Sequence, residues 1–183
     1  MITAKIVVTG PFGAGKTTLI QTISEIAVLS TDRDISDHTR EFKDKTTVAM
    51  DFGRITIDDD LILYLFGTPG QERFEFMWEI LSEGMLGFVL LVDRSREESF
   101  EEAFDILEAF KSYGDVPYII AVNKHSGADP AQEISYVANR MEIDDGVPIV
   151  PVDAMDVASV KNAILSLLYS VLENIDERVA QPA

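Results

Sequence analysis

The stretch 4-AKIVVTGPFGAGKTTLI-20 decides how the rest of the chain is read. Ala4 to Thr9 is a short apolar run, read as a buried strand. From Lys16 to Val28 the apolar residues Leu19, Ile23 and Ile26 recur at helical spacing. Between the two lies 10-GPFGAGKT-17, of the form G-x-x-x-x-G-K-[ST]. Gly13 and Gly15 let the backbone turn its N–H groups inward without a Cβ clash. Those N–H groups and the positive end of the following helix form a phosphate cradle. Lys16 then places a point charge on the β- and γ-phosphates, and the Thr17 hydroxyl ligates Mg²⁺. A plain strand–helix turn needs none of this. The motif implies a nucleoside triphosphate with Mg²⁺ and leaves the base and the reaction open.

Working outward, strands and helices alternate. Residues 29–46 are polar and aperiodic and read as a long loop, too long to be idle in a compact domain. Thr47 to Ile57 is β-rich, 58-DDD-60 is a turn, and Leu61 to Phe66 is the next strand. Strands joined by so short a link are antiparallel. Glu75 to Leu86 reads as helix, Gly87 to Asp93 as strand, Glu97 to Tyr113 as an acidic amphipathic helix, and Pro117 to Asn123 as strand. Asp129 caps a helix that begins at Pro130. Pro148 to Val152 is a strand and Val157 to Ile175 a closing helix. This order predicts one α/β domain over residues 1–183, a mostly parallel sheet covered on both faces.

Composition agrees. The 183 residues are 46% hydrophobic and 26% charged, as in soluble globular proteins. Cysteine is absent, which removes disulfide and thiolate chemistry. MITAKIVVTG has no signal-peptide core, no apolar run reaches spanning length, and ERVAQPA carries no prenylation box. A cytoplasmic protein without its own membrane anchor is expected. A net charge of −17 disfavours nucleic acid, and it means that a bound polyphosphate needs a local device against the global field. The cradle is such a device.

A second stretch, 61-LILYLFGTPGQERF-74, ends a buried strand in a glycine turn that carries polar side chains. With it come TTVAMDFG, LLVDRSREESFEEA, AVNK and PVDA, in that order after the phosphate loop. The chain resembles the small Ras-like GTPases, and more narrowly their prokaryotic MglA-type and conservon (CvnD-type) members. The resemblance covers nearly the whole chain. It implies a P-loop NTPase fold with a Ras-like six-stranded mixed sheet, one strand antiparallel, and a GTP/GDP switch with slow hydrolysis. Gly10, Phe12, Gly13, Ala14, Gly15, Lys16, Thr17 and Thr18 would surround the phosphates. Thr47 would complete the Mg²⁺ shell, the Gly70 N–H would meet the γ-phosphate, and Gln71 would orient the attacking water. Asn123 and Lys124 would hold the base and pack over the phosphate loop, with Ser126, Asp153 and Ala154 beside the base and the Ala154 N–H on the guanine oxygen. A roadblock-type regulator is implied, at the switch loops and Phe74–Leu81.

Three departures stand out. Most relatives carry Asp-x-x-Gly where this chain has Gly67-Thr68-Pro69-Gly70, a lack of the Asp that the MglA and conservon types share. The base motif Asn-Lys-x-Asp reads Asn123-Lys124-His125-Ser126, with Asp129 nearby as a possible substitute. Phe12 stands where many relatives have glycine, near the entry of an arginine finger. The first gap has a candidate filler. If residues 58–60 turn the hairpin, Ile57 faces Leu61 and, counting outward, Asp51 faces Gly67. Facing Cβ atoms lie roughly 5 Å apart, so Asp51 would aim a carboxylate into the space and join Thr17 and Thr47 around the metal. A slip of the apolar phase near Gly53 suggests a bulge; Asp51 merely solvated at a strand's start is the alternative. A non-hydrolysing nucleotide-bound adaptor, or a P-loop ATPase or small kinase, are the rival functions; a kinase would need a lid rich in arginine, and no Arg cluster is evident.

Overall fold

The computed structural model describes residues 2–30, 50–70, 74–124 and 129–180. Seven strands form one sheet: β1 (Ile2–Thr9), β2 (Leu29–Ser30), β3 (Asp51–Thr56), β4 (Leu61–Gly67), β5 (Gly87–Asp93), β6 (Tyr118–Asn123) and β7 (Ile149–Val152). Their order is β2-β3-β4-β1-β5-β6-β7. β3 is antiparallel to both neighbours, while the pairs from β4 to β7 are parallel. The expected six-stranded sheet is present, and two-residue β2 adds a strip at the edge, inside the segment expected to be loop.

Among the described residues five α-helices cover the sheet: α1 (Lys16–Ile23), α2 (Glu75–Ser82), α3 (Phe100–Tyr113), α4 (Pro130–Arg140) and α5 (Val157–Ala180). Side chains alternate across each strand, so the sheet carries two cores. Ile6, Val8, Leu65 and Leu91 pack with Leu19 and Ile20 of α1 and Ile164 and Leu167 of α5. Val7, Phe88, Leu90 and Val122 pack on the other face with Trp78 of α2, Phe110 of α3 and Val137 of α4. Central β5 is buried along its whole length, as a strand covered on both faces must be.

The hairpin register is the one counted from the turn. Ile57 N–H donates to the Leu61 carbonyl at 2.9 Å, and Asp51 pairs with Gly67. The bulge expected at Gly53 is absent, since pairing runs without a break from Asp51↔Gly67 to Thr56↔Ile62. Gly53 is there for space: a Cβ would come within 2.7 Å of Ile20 Cγ2 on α1. Helix α1 ends at Ile23, five residues before the expected Val28. Ser24 and Glu25 leave it to grip β3, where Ser24 Oγ accepts the Arg54 N–H and Glu25 accepts the Thr56 N–H. Asp129 caps α4 as expected, its carboxylate accepting the Ala131 N–H at 3.1 Å. Among the described residues no helix is long and apolar enough to cross a membrane.

Candidate functional site

The parallel strands all end at one edge of the sheet, and β3, running the other way, starts there. Thr9, Gly67, Asp93, Asn123, Val152 and Asp51 therefore share an edge. Ligands of open α/β sheets bind at this edge. The loop 10–15 crosses it, with Gly13 at φ +79° and Gly15 at φ +107°, conformations that side-chain-bearing residues rarely adopt. Gly15 is also the residue before α1, so the loop feeds directly into a helix N-terminus.

Lys16 is 8% exposed and folds back over the loop, its ammonium donating to the Gly10 carbonyl at 2.6 Å and the Pro11 carbonyl at 2.8 Å. Burial pulls its pKa down to about 8, against the opposing influence of Glu102 and Asp51. Gly70 lies on the same spot: a Cβ there would come within 2.6 Å of Phe12 N and 2.7 Å of Lys16 Nζ. The turn before it is pinned on both sides. Thr68 donates its hydroxyl to Thr9 Oγ1 at 2.9 Å, and the Trp78 indole N–H donates to the Pro69 carbonyl at 3.1 Å.

Thr17 Oγ1 donates to Asp51 Oδ2 at 2.5 Å. Asp51 is 7% exposed, so it is not a solvated strand end. Its carboxylate occupies the gap left by Gly67, where a Cβ would come within 3.0 Å of Asp51 Cβ and 3.2 Å of Asp51 Oδ2. A hydroxyl and a carboxylate at contact are hard oxygen donors suited to Mg²⁺, which takes one or two protein oxygens and completes its shell with phosphate and water. Among the described residues no group of three or more His, Cys, Asp or Glu forms a self-sufficient cage. The residues present thus fit a metal that needs its ligand's oxygens.

Asn123, at the end of β6, clasps two loops. Its Nδ2 donates to the Ala14 carbonyl at 2.9 Å, and its Oδ1 accepts the Ala154 N–H at 3.2 Å. The Ala154 carbonyl in turn accepts from Thr22 Oγ1 of α1 at 2.7 Å. The Ala154 N–H expected to face a base is thereby engaged within the protein. Lys124 adopts a left-handed conformation at φ 53° and donates to Asp93 Oδ2 at 2.6 Å. Burial opposes the charge on Asp93, but bonds from Lys124 and Ser95 outweigh it and hold the carboxyl below its ordinary range. Asp153 caps its own turn through the Met155 N–H, and Thr18 is half-buried in the first turn of α1. Asp129, considered as a substitute base acceptor, is committed as a helix cap. Thr47, Gln71 and Ser126 lie outside the described residues.

Of the residues 74–81, Phe74, Trp78 and Leu81 are buried, whereas Phe76 and Ile80 are 56% and 58% exposed, one helical turn apart. Within the segment expected to meet a regulator, this exposed pair forms the apolar patch. One neighbour of the phosphate loop was not expected at all. Arg96, beyond the end of β5, donates from Nη1 to the Phe12 carbonyl at 2.9 Å. The only hint in the sequence was two arginines, 94-RSR-96, close behind a strand end in a strongly acidic chain.

Comparisons with known proteins extend the picture. A family described as conserved hypothetical ATP binding protein matches residues 29–176. An uncharacterized protein of Methanocaldococcus jannaschii is 38% identical over 128 residues, 68% of this chain and 72% of that protein. Ras-related protein Rab-8A of Pongo abelii is 27% identical over 177 residues, 96% of this chain and 81% of its own. Ras-related protein Rab-8B of Homo sapiens is 26% identical over 180 residues, with the same coverage.

Proposed function

The chain belongs to the family described as conserved hypothetical ATP binding protein; within it, we propose that the chain is a Ras-like nucleotide switch that binds GTP and hydrolyses it slowly to GDP and phosphate. The observation that carries the reading is the assembly at the sheet edge: Lys16, the Thr17–Asp51 pair and Gly70 converge on one strand–loop–helix cradle. GTP is favoured over ATP because relatives named as Ras-related align with 96% of the chain. The second reading, ATP, is favoured by the family's description and by Ser126 in place of the acid that pairs with guanine. Competition of unlabelled GTP and ATP against a fluorescent nucleotide separates them: a preference of tenfold or more for GTP is expected, and a preference for ATP reverses the assignment.

In this mechanism the inward N–H groups of the loop and the α1 N-terminus hold the phosphate oxygens. Lys16 exchanges two carbonyls for phosphate oxygens. Thr17, with Thr47, would hold Mg²⁺ and Asp51 would support it through a metal-bound water; the ion would supply countercharge to the phosphates. The Gly70 N–H holds the γ-phosphate, and Gln71 orients a water for in-line attack. The new bond joins the water oxygen to γ-phosphorus, the bond to the bridging oxygen breaks, and GDP leaves. Gln71→Leu is expected to lower single-turnover hydrolysis by about 10²-fold or more while sparing GTP affinity, because Gln71 touches the water and not the ground-state phosphate. An unchanged rate assigns the water to another group.

Narrower features follow the same reading. We assign the chain to the MglA-type and conservon-type branch on its Gly67 terminus, with a roadblock-type regulator meeting Phe76 and Ile80. Phe76→Glu is expected to remove a partner's stimulation of hydrolysis without altering nucleotide affinity.

Lys16 also gives the binding a pH dependence. In the ligand-free protein it loses its proton near pH 8, and bound phosphates restore the charge. Binding thus takes up a proton above that pH, so affinity is flat below about 8 and falls above it, by up to about tenfold per pH unit. The same depressed pKa makes the ligand-free fold gain stability as pH rises through about 8 toward the unfolded value. Equilibrium titrations from pH 6.5 to 9.5 test the first effect, with Lys16→Arg expected to flatten the slope.

A further inference from the structure

The phosphate cradle works through N–H groups, and each N–H belongs to a rigid peptide plane whose carbonyl points the opposite way. Holding the carbonyl therefore aims the N–H. In the loop 10–15 the outward carbonyls are held one by one. Lys16 takes those of Gly10, whose peptide to Pro11 has no N–H to aim, and of Pro11, Arg96 takes that of Phe12, and Asn123 takes that of Ala14. Lys16 is the donor that a phosphate draws away. Arg96 and Asn123 reach the loop from the ends of β5 and β6, independently of Lys16.

We propose that Arg96 is a positioning residue for phosphate binding: by donating to the Phe12 carbonyl it orients and polarises the Phe12–Gly13 peptide, so that the Gly13 N–H is a fixed, strengthened donor to the nucleotide. This rests on the nucleotide reading above. Charge-assisted hydrogen bonds are about twice as strong as neutral ones, and bonds in series through a peptide polarise one another.

Four observations support the assignment. The Arg96 backbone is locked: its N–H donates to the Asp93 carbonyl at 3.0 Å, and its own carbonyl accepts the Ser99 N–H at 2.9 Å and the Ser99 hydroxyl at 2.7 Å. Its guanidinium fills the place of a side chain at Gly13, where a Cβ would come within 2.8 Å of Nη1. Its carboxylate contact, Glu98 at 3.4 Å with both side chains substantially exposed, is weak and leaves the charge largely directed at the loop. Arg94, two residues earlier, serves α4 instead, bonding Glu133 at 2.7 Å and lying 3.9 Å over the Tyr136 ring. The pair divides its work, one arginine to the helix and one to the loop.

The test measures the release rate of a fluorescent GDP and the amide spectrum of ¹⁵N-labelled protein, in wild type and in Arg96→Ala, Arg96→Lys and Lys111→Ala. Lys111, on the last turn of α3, removes the same charge at the far end of the sheet. Arg96→Ala is expected to release nucleotide roughly tenfold faster and to move the bound-state Gly13 amide proton upfield. Arg96→Lys, which keeps a charged donor, is expected to recover most of both effects, and Lys111→Ala to show neither. Equal effects of Arg96→Ala and Lys111→Ala would reduce Arg96 to bulk charge and overturn the proposal. Unchanged release and an unchanged Gly13 proton in Arg96→Ala overturn it as well, while nucleotide binding by the wild type stands. A wild type that binds neither GTP nor ATP removes the nucleotide reading and this inference together.

Discussion

Lys16→Ala is expected to eliminate measurable tight nucleotide binding. The chain carries a net charge of −17, and the Lys16 ammonium is the cation that the fold buries at the foot of the cradle. Removing one partner of a buried charge pair costs about 3–5 kcal/mol, or roughly a hundred- to a thousandfold in affinity or more. The effect on the ligand-free fold runs differently. Burial already works against the Lys16 charge, as its lowered pKa shows, and its bonds to Gly10 and Pro11 partly offset that cost. Loss of the side chain removes both, so the unliganded melting temperature should change little. The nucleotide-dependent rise should vanish: a ligand at a thousand times its Kd stabilises by about 4 kcal/mol. Thermal melts of wild type and variant, with and without GTP and Mg²⁺, read both quantities. A wild-type shift in the variant would mean that this loop is not the phosphate site.

The sheet and its edge were legible because their signals are local. A strand, eight motif residues and a helix follow one another in 4-AKIVVTGPFGAGKTTLI-20, and the central strands β4, β5 and β6 are near-continuous apolar runs. Even the pairing of Asp51 with Gly67 could be counted, since three aspartates turn the hairpin tightly and no bulge breaks the ladder. The misread points share one cause: they depend on packing between distant segments. Gly53 resembles a bulge until α1 is seen lying against it. The end of α1 at Ile23 has no breaker in sequence and is set by Ser24 and Glu25 reaching β3, thirty or so positions onward. Arg96 acts on Phe12 across 84 positions, and no local signal announces it. Asn123 acts on Ala14 across 109, and it was legible only because AVNK carries the family resemblance and not because of any local pattern.

Asp51→Asn is expected to raise the Mg²⁺ concentration needed for GTP binding or hydrolysis by about 10- to 100-fold, the usual effect of losing a carboxylate that supports a metal site. The substitution keeps the shape and a hydrogen-bond acceptor for the Thr17 hydroxyl, which donates to Asp51 at 2.5 Å. Fold stability should therefore change by less than about 1 kcal/mol, and any large effect should appear only in the Mg²⁺ titration. The neighbouring position gives the matching control. Gly67→Asp alone should be harmful, because its Cβ would press on Ile20 Cδ1 at 2.8 Å and bring a second carboxylate against Asp51. Two like charges so close cannot both ionise cheaply. Asp51→Gly combined with Gly67→Asp transposes the acid across one rung of the ladder and frees the space that the single change lacks. It should recover much of the Mg²⁺ affinity that Asp51→Gly loses alone. If Asp51→Asn leaves the Mg²⁺ requirement unaltered, the carboxylate serves only to hold Thr17. The metal would then rest on Thr17, Thr47, phosphate and water, and the transposed pair would have nothing to restore.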